Sequence, residues 1–383
     1  MSIPLDYPTL RVIWWLLLGV LLIGFAVMDG FDLGTAMLLP FVARSDTERR
    51  VTINAIGPFW EGNQVWLILG GGAIFAAWPM VYAASFSGFY IAMFLVLASL
   101  ILRPVGFDFR NKVADTPWRT FWDYALFAGG LVPSVVFGVA FGNLLQGVPF
   151  RIDGDLRVLY QGGGLFELLN PFGLLCGLVS AAMLATHGAV YLTMRTDGAV
   201  KTRAQAFVTW GGLATVVLFA VAGLWVWAGI DGYAITSAAA PAGPSNPLLK
   251  TVARTPGAWL ANYAAYPWTI AAPVLGFAGP LLAMLFSRAG NRALAFIASA
   301  LGIFGIIATA GVSMFPFLMP SDIAPGASLT VWDASSSRLT LFVMLVATVL
   351  LLPIVLVYTA IVFRAMRGVV TADLVEKNSH SLY

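Results

Sequence analysis

Apolar residues occur in long runs along this chain, and charged residues are concentrated in the segments between them. A helix needs about 20 consecutive, predominantly apolar residues to cross the hydrocarbon core of a bilayer. By this criterion the sequence predicts nine transmembrane helices, over residues 12–43, 51–73, 79–102, 121–142, 165–194, 204–229, 262–287, 292–315 and 338–362. The predicted fold class is an all-α polytopic membrane protein.

Composition agrees with this pattern. The residues AVILMFWYC make up 60% of the chain and charged residues only 10%, and the mean hydropathy is +0.87. A soluble domain carries about 25% charged residues, so this surface needs a lipid bilayer as its solvent. The net charge of +3 does not indicate nucleic-acid binding, because no basic stripe with interleaved aromatic residues accompanies it.

The basic residues between the predicted helices indicate the orientation. With nine helices, fifteen of the 21 lysines and arginines fall on one side of the membrane and six on the other. Cytoplasmic loops are enriched in lysine and arginine, so the N-terminus is predicted to be periplasmic and the C-terminus cytoplasmic. An eight-helix alternative places the N-terminus inside and distributes the charge less asymmetrically.

Ionisable side chains within apolar helices are costly and are therefore candidates for function. Asp29, Asp32, Glu61, Asp123 and His187 lie in or close to predicted helices. At 1.5 Å per residue, Asp32 lies about 16 Å from the cytoplasmic end of the first helix, and Glu61 about 15 Å from that of the second. The two acids are expected at one depth, with Asp29 one turn further in on the face of Asp32.

Amide side chains extend this acidic group. Asn63 and Gln64 follow Glu61 closely, so carboxyl and amide groups form a polar line from the cytoplasm towards the middle of the membrane. Such a line is typical of a proton relay. Three other roles are open: binding of a structural cation, pairing with basic groups of a partner, and hydrogen bonding to irregular backbone beside the glycines.

Two charged residues flank the loop between the third and fourth predicted helices. Arg103 precedes a proline at the end of one helix, and Asp123 opens the next on the same side. The sequence predicts a charge pair between them that fixes the hairpin. The alternative is that Arg103 extends to the lipid headgroups.

Ligands for redox chemistry are scarce. His187 is the one histidine within a predicted helix, His380 lies in the C-terminal tail, and Cys176 is the one cysteine. A multi-haem protein needs several axial ligands, mostly His or Met. We therefore expect no haem ligand and no metal site in this chain, and expect His187 to hydrogen-bond to a neighbour.

Glycine spacing and loop length indicate further features. The spacing G-x-x-x-G, which favours close helix contacts, occurs at Gly30/Gly34, Gly138/Gly142 and Gly173/Gly177. Two longer loops, about 143–164 and 230–261, are candidates for structured segments outside the membrane. Residues 238–244, which are rich in Ala, Pro and Gly, are expected to be mobile.

Six longer motifs extend through the chain. They are GFAVMDGFDLG at 24–34, WEGNQVW at 60–66, LRPVGFD at 102–108, GNLLQGVPF at 142–150, LTVWDA at 329–334 and the closing HSLY at 380–383. These motifs closely resemble those of subunit II of the cytochrome bd-type quinol oxidases, and the resemblance covers the chain from about residue 10. It departs at Glu61, where well-known relatives carry aspartate; the carboxyl group is retained with one extra methylene.

The resemblance implies a terminal oxidase of the bacterial inner membrane. Such a complex oxidises quinol, reduces O₂ to water with cytoplasmic protons and generates a proton motive force. Two b-type haems and one d-type haem are implied, held mainly by the partner, subunit I. A bound quinone and small accessory membrane subunits are further expectations.

The resemblance also implies an architecture and residue roles. Two four-helix bundles plus one peripheral helix are expected: the first bundle in 1–150, the second with longer periplasmic loops in 151–320, and the last helix with the tail in 321–383. The implied share of a proton path falls on Asp29, Asp32, Glu61, Asn63 and Gln64. Support of the haem region is implied for Arg103 and Asp123.

Two functions of other classes are compatible with the same residues. A proton-coupled transporter also combines acids near the middle of the membrane with glycine-interrupted helices. A purely structural anchor for a partner subunit is the other alternative. Within the resembling family, a cyanide-insensitive oxidase that lacks d-type haem is the close relative to exclude.

Overall fold

A computed structural model describes residues 3–162, 164–237, 240–377 and 383. In these ranges the chain forms fourteen α-helices, α1 to α14, over Tyr7–Val42, Asp46–Ile56, Trp60–Ala77, Pro79–Gly88, Tyr90–Phe109, Thr116–Gln146, Leu165–Leu168, Pro171–Arg195, Gly198–Gly229, Ala261–Ala265, Ala271–Arg288, Arg292–Met314, Arg338–Ala365 and Ala372–Lys377. Six short strands, β1 to β6, form three antiparallel pairs at Phe150–Ile152, Val158–Tyr160, Gly232–Ile235, Val252–Thr255, Phe317–Met319 and Leu329–Thr330. The predicted all-α class is confirmed.

Eight helices in the described ranges are long and apolar enough to cross a bilayer, and they are α1, α5, α6, α8, α9, α11 with the turn before it, α12 and α13. The predicted count of nine is therefore approximate. The difference lies in the second predicted helix. Its apolar part is α3, which begins with the polar segment that carries Glu61 and is not among the eight.

The prediction of a continuous helix over 51–73 is wrong. The chain forms two helices there, α2 and α3, with a break at residues 57–59. Pro58 has no N–H to donate and its ring clashes with the carbonyl four residues earlier, so a helix does not pass through it undisturbed. α2 begins instead with a capping box between Ser45 and Glu48. The 18 residues of α3 are about 27 Å long.

The third predicted helix, 79–102, is also divided. α4 ends at Gly88, and α5 begins after Phe89 and continues through Pro104 to Phe109. Sequence reasoning ended this helix at Arg103 because a proline follows. The structure retains Pro104 inside the helix, so Arg103 lies more than one turn from the helix end.

The long helices pack in two groups. α1, α3, α5 and α6 form one group, α8, α9, α11 and α12 form the other, and α1 and α6 contact α8. α13 lies outside both groups, against α1 and α3, and only Leu341 is buried among its residues. This arrangement agrees with two four-helix bundles plus a peripheral helix. The division of the chain at residues 150 and 320 stays a prediction about domains.

Glycines bring α8 into backbone contact with both α1 and α6. A Cβ atom at Gly34 would lie 2.0 Å from the carbonyl oxygen of Leu184, and one at Gly138 would lie 2.2 Å from that of Cys176. Gly142 and Gly173 meet in the same α6–α8 contact. The predicted glycine contact faces are therefore confirmed, and they fix the junction between the two groups.

The two long loops carry structure, as predicted. β1 pairs with β2 within 143–164, and β3 pairs with β4 within 230–261. Arg11 of α1 anchors the second loop, with Nη1 donating to Pro241 O at 2.5 Å and Nη2 to Gly243 O at 3.1 Å. Residues 238 and 239 of the segment expected to be mobile lie outside the described residues.

We expect Gly138→Ala to destabilise the protein by roughly 1–3 kcal/mol, because the added methyl group overpacks the α6–α8 contact. Thermal unfolding of the purified, assembled protein measures the change. Gly19→Ala is the matched control, since a Cβ atom at Gly19 meets nothing within 4 Å. Equal stability of the two variants would contradict a rigid contact at Gly138.

Candidate functional site: a buried acidic cluster

A fully buried ion pair joins α1 to α5. Arg103 Nη1 donates to Asp29 Oδ2 at 2.9 Å, and Nη2 donates to Asp29 Oδ1 at 2.7 Å. Both side chains have 0% exposure. The stem of Arg103 passes close to Gly129 of α6, where a Cβ atom would lie 3.0 Å from Arg103 Cγ. The two parallel N–H···O bonds form the bidentate geometry of an arginine–carboxylate ion pair and fix the orientation of both side chains.

A second carboxyl group lies one turn further along α1. Asp32 is also completely buried, and Asn63 Nδ2 of α3 donates to its Oδ2 at 2.8 Å. In the described part of the chain, Asp32 Oδ1 has no hydrogen-bond partner. The first turn of α3 therefore lies at the depth of Asp32, as the spacing along the two helices predicts.

Glu61 and Gln64 lie on another side of α3. Asn63 is buried against α1, whereas Glu61 is exposed and Gln64 is partly exposed on the surface of this chain. The exposed surface around them is apolar and includes Val65 and Ile68. A carboxyl group on such a surface is costly unless water or another polar group solvates it.

The predicted pair between Arg103 and Asp123 is wrong. Asp123 Oδ1 accepts from Arg110 Nε at 2.6 Å, and its Oδ2 accepts from Arg49 Nη1 at 2.8 Å. The helix continues beyond Pro104, so Arg110 occupies the end where sequence reasoning placed Arg103. The proposed extension of Arg103 to the lipid headgroups is excluded by its complete burial.

Three residues of this ionic network, Arg49, Arg110 and Asp46, were missed in the sequence. Arg110 also donates to Asp46 Oδ1 at 2.9 Å, so the network joins the start of α2 to the ends of α5 and α6. Their charge was visible, but no spacing pattern linked the three segments.

Tyr383 binds near the break between α2 and α3. Asn54 Nδ2 donates to the main-chain oxygen of Tyr383 at 2.7 Å, and Tyr383 N donates to Asn54 Oδ1 at 3.0 Å. Burial raises the pKa of the Tyr383 hydroxyl, and the charges of Asp108 and Glu61 act in the same direction. The other residues of the closing HSLY motif, 380–382, lie outside the described residues.

His187 hydrogen-bonds through both ring nitrogens. Nε2 contacts Val27 O at 3.0 Å, and Nδ1 contacts Ser299 Oγ. The predicted hydrogen bond to a neighbouring helix is confirmed. Within the described ranges, no group of three or more His, Cys, Asp or Glu residues is placed to hold a metal ion.

An apolar cavity of about 410 Å³ lies between α1, α6, α8, α9, α11 and α12. Its walls include Phe25, Phe137 and Phe277, and its few polar groups include Tyr263 and Ser313. Tyr263 Oη and Ser313 Oγ lie 3.1 Å apart. The cavity suits an apolar ligand with a small polar end. His187 is not among its lining residues, so the cavity does not fit a histidine-ligated haem.

Comparison with known proteins identifies relatives along the whole chain. The chain is 57% identical over 379 residues to cytochrome bd-I ubiquinol oxidase subunit 2 of Escherichia coli (strain K12), covering 99% of this chain and 100% of that protein. It is 52% identical to the probable cytochrome oxidase subunit 2 of Haemophilus influenzae, with the same coverage. It is 33% identical over 359 residues to cytochrome bd ubiquinol oxidase subunit 2 of Bacillus subtilis, covering 93% of this chain and 96% of that protein.

A solved structure shares the fold. The bd oxidase from Geobacillus thermodenitrificans matches with a TM-score of 0.67 at 16% identity, covering 93% of this chain and 98% of that one. The sequence profile of the family described as cytochrome bd terminal oxidase subunit II matches residues 10–366. The chain therefore belongs to the family of cytochrome bd terminal oxidase subunit II.

Proposed function

We propose that this chain is the subunit of a bd-type quinol oxidase that supports the haem-bearing partner and carries protons towards it. The complex oxidises quinol and reduces O₂ to water with protons from the cytoplasm, which generates a proton motive force. Membership of the oxidase subunit family favours this function over a proton-coupled transporter.

The observation that carries the proton-path part is the buried cluster of Asp29, Asp32, Arg103 and Asn63. It lies about 15 Å from the end of α1 on the predicted cytoplasmic side, and the next polar group on α3 is the exposed Glu61. Acids at this depth are costly, which makes them functional candidates by default. In this proposal Glu61 and Gln64 face the partner subunit, Asp32 passes protons, and the Asp29–Arg103 pair fixes the surroundings.

The haems of the complex are proposed to be held mainly by the partner, subunit I. Haem supplies the electron transfer and the O₂ chemistry when it is bound there. Both nitrogens of His187 are bonded within the chain, which supports this assignment. Arg103 and Asp123 support the haem region from this side through their ion pairs. Small accessory membrane subunits are part of the same proposal.

The apolar cavity is proposed to hold a quinone. Its aromatic and aliphatic walls suit an isoprenoid tail. The Tyr263 hydroxyl donates to Thr309 O at 3.1 Å, so the Ser313 hydroxyl is the group that offers a proton to a quinone carbonyl. The size and the polarity of the cavity support this ligand, which would be structural because no redox partner lines the cavity among the described residues.

The proposed orientation in the bacterial inner membrane is a periplasmic N-terminus and a cytoplasmic C-terminus. Arg44 is exposed in the α1–α2 connection. This connection is cytoplasmic in the proposed orientation and periplasmic in the eight-helix alternative, so the accessibility of position 44 distinguishes the two. In a Cys176→Ser background, we expect Arg44→Cys in intact cells to react only with thiol reagents that enter the cytoplasm. Asp155→Cys, in the loop between β1 and β2, is the periplasmic control. Reaction of Arg44→Cys with impermeant reagents would reverse the proposed orientation of the first helix.

Glu61→Gln tests the proton path, because the amide retains the shape and polarity of the side chain but does not exchange a proton. We expect quinol-driven O₂ consumption of the assembled complex to fall by about tenfold or more, with normal haem content and partner binding. Glu61→Asp should be mild, because it retains the acid. Glu376→Gln, at an exposed position of α14, is the matched control.

Two results would contradict this role for Glu61. Full turnover of Glu61→Gln would show that protons travel by another route. Loss of haem or of the partner subunit would show that the carboxyl group is structural.

Arg103→Ala tests the supporting role of the ion pair. We expect a loss of about 3–5 kcal/mol of stability, because Asp29 is left buried and charged without a partner. Thermal unfolding of the complex measures this loss of stability. The double variant Arg103→Ala/Asp29→Ala should recover much of the lost stability, because it removes the unpaired charge. Arg119→Ala is the control, because Arg119 pairs with Asp46 at a partly exposed site and such pairs contribute about 0–1 kcal/mol. Equal losses for the two arginine variants would overturn the role assigned to Arg103.

A further inference from the structure

The charges around Asp32 do not balance if this carboxyl group is ionised. Arg103 is the one cation in contact with the cluster among the described residues, and both of its terminal nitrogens are bound to Asp29. An ionised Asp32 would therefore leave one excess negative charge in a completely buried site. Burial of an uncompensated charge is among the most costly arrangements in a protein.

In the described part of the chain, the other elements packed against Asp32 bring no second cation into contact with it. The nearest cation on α8 is Arg195, one turn beyond Tyr191, and its Nη2 donates to Met366 O at 2.7 Å. On α3, Asn63 is neutral and Glu61 is exposed. On α8, the Tyr191 hydroxyl donates to Ala55 O at 3.0 Å, and its ring stacks on Phe31. His187, further along α8, has both nitrogens bonded to other groups. A proton on Asp32 itself is the remaining way to neutralise the site.

Two unpaired oxygens indicate where that proton lies. Asn63 donates to Oδ2 of Asp32, which makes Oδ2 the carbonyl oxygen of an acid and leaves Oδ1 for the hydroxyl. In the described ranges, Asp32 Oδ1 and Thr35 Oγ1 are both buried without a hydrogen-bond partner. Residues three apart on a helix have Cβ atoms about 5–6 Å from each other. Two buried polar groups at this spacing are the kind of site that an internal water bridges.

We propose that Asp32 is held as a neutral carboxylic acid, with its proton on Oδ1 and one internal water joining it to Thr35, which acts as a positioning residue. This inference rests on the proposed function, because the protonated Asp32 is the group that holds a proton within the proposed path. The O–H bond of Asp32 breaks as its proton passes to the water, which releases one of its own protons along the path; the carboxylate is protonated again by the reverse transfer, in which the water gives Oδ1 a proton and receives one from the path. During that interval the charge of Arg103 stabilises the carboxylate, and no other reactant is required.

Infrared spectroscopy of the assembled complex at pH 7 tests the protonation state. We expect the wild-type spectrum minus that of Asp32→Asn to contain a carboxylic-acid carbonyl band that moves to lower frequency in D₂O. Carboxylate bands in place of that band would overturn the inference.

Thr35→Val and Thr35→Ser test the positioning residue. Valine retains the shape but removes the hydroxyl, so we expect the Asp32 band to shift and turnover to fall. Serine retains the hydroxyl, so the band should stay in place and turnover should be retained. An unshifted band in Thr35→Val would overturn the role of Thr35, and so would the same shift in both variants.

The same measurements separate this inference from the proposed function. If Asp32→Asn turns over at the wild-type rate while its acid band is lost, the inference stands and the path through Asp32 fails. If turnover is lost but the wild-type spectrum shows a carboxylate, the path stands and the inference is overturned.

Discussion

The burial of Asp29 against Arg103 is the constraint on which the rest of this structure depends. Desolvating two charges costs several kcal/mol per ion, and only close, bidentate contact offsets that cost. The pair therefore fixes the distance between α1 and α5. Gly129 on α6 leaves room for the arginine stem, so a third helix is adapted to the same contact.

α1 transmits this constraint to the remainder of the chain. The helix that carries both buried acids also packs through Gly34 on α8, where no side chain separates the two backbones. A shift of α8 would therefore displace Asp29 and Asp32 as well. The second group of helices, including the walls of the apolar cavity, is thus mechanically joined to the acidic cluster without contributing a charge to it.

Most of the fold was predictable from the sequence, because long apolar runs allow few alternatives in a bilayer. The glycine contacts also follow from simple spacing. So does the common depth of Asp32 and the first turn of α3, which was predicted for Glu61 and is observed in the hydrogen bond from Asn63. The pairing of Arg103 with Asp29 was not predictable in this way. Pro104 suggested that the helix ends at Arg103, whereas α5 continues through Pro104 and leaves Arg103 buried within the helix. The break at Pro58 was missed because the flanking residues are apolar enough to resemble one span. The exposure of Glu61 depends on which side of α3 faces α1, and spacing alone does not determine that.

The depth of Asp32 within α1 has an electrical consequence for the proposed proton path. Moving one charge through a full membrane potential of 100 mV costs about 2.3 kcal/mol. Asp32 lies about 15 Å from the end of α1, roughly half of a hydrocarbon core of about 30 Å. A proton that reaches this depth has therefore crossed about half of the field. In the proposed proton path, loading of Asp32 is therefore a voltage-dependent step, and the membrane potential helps to set how often this carboxyl group is protonated.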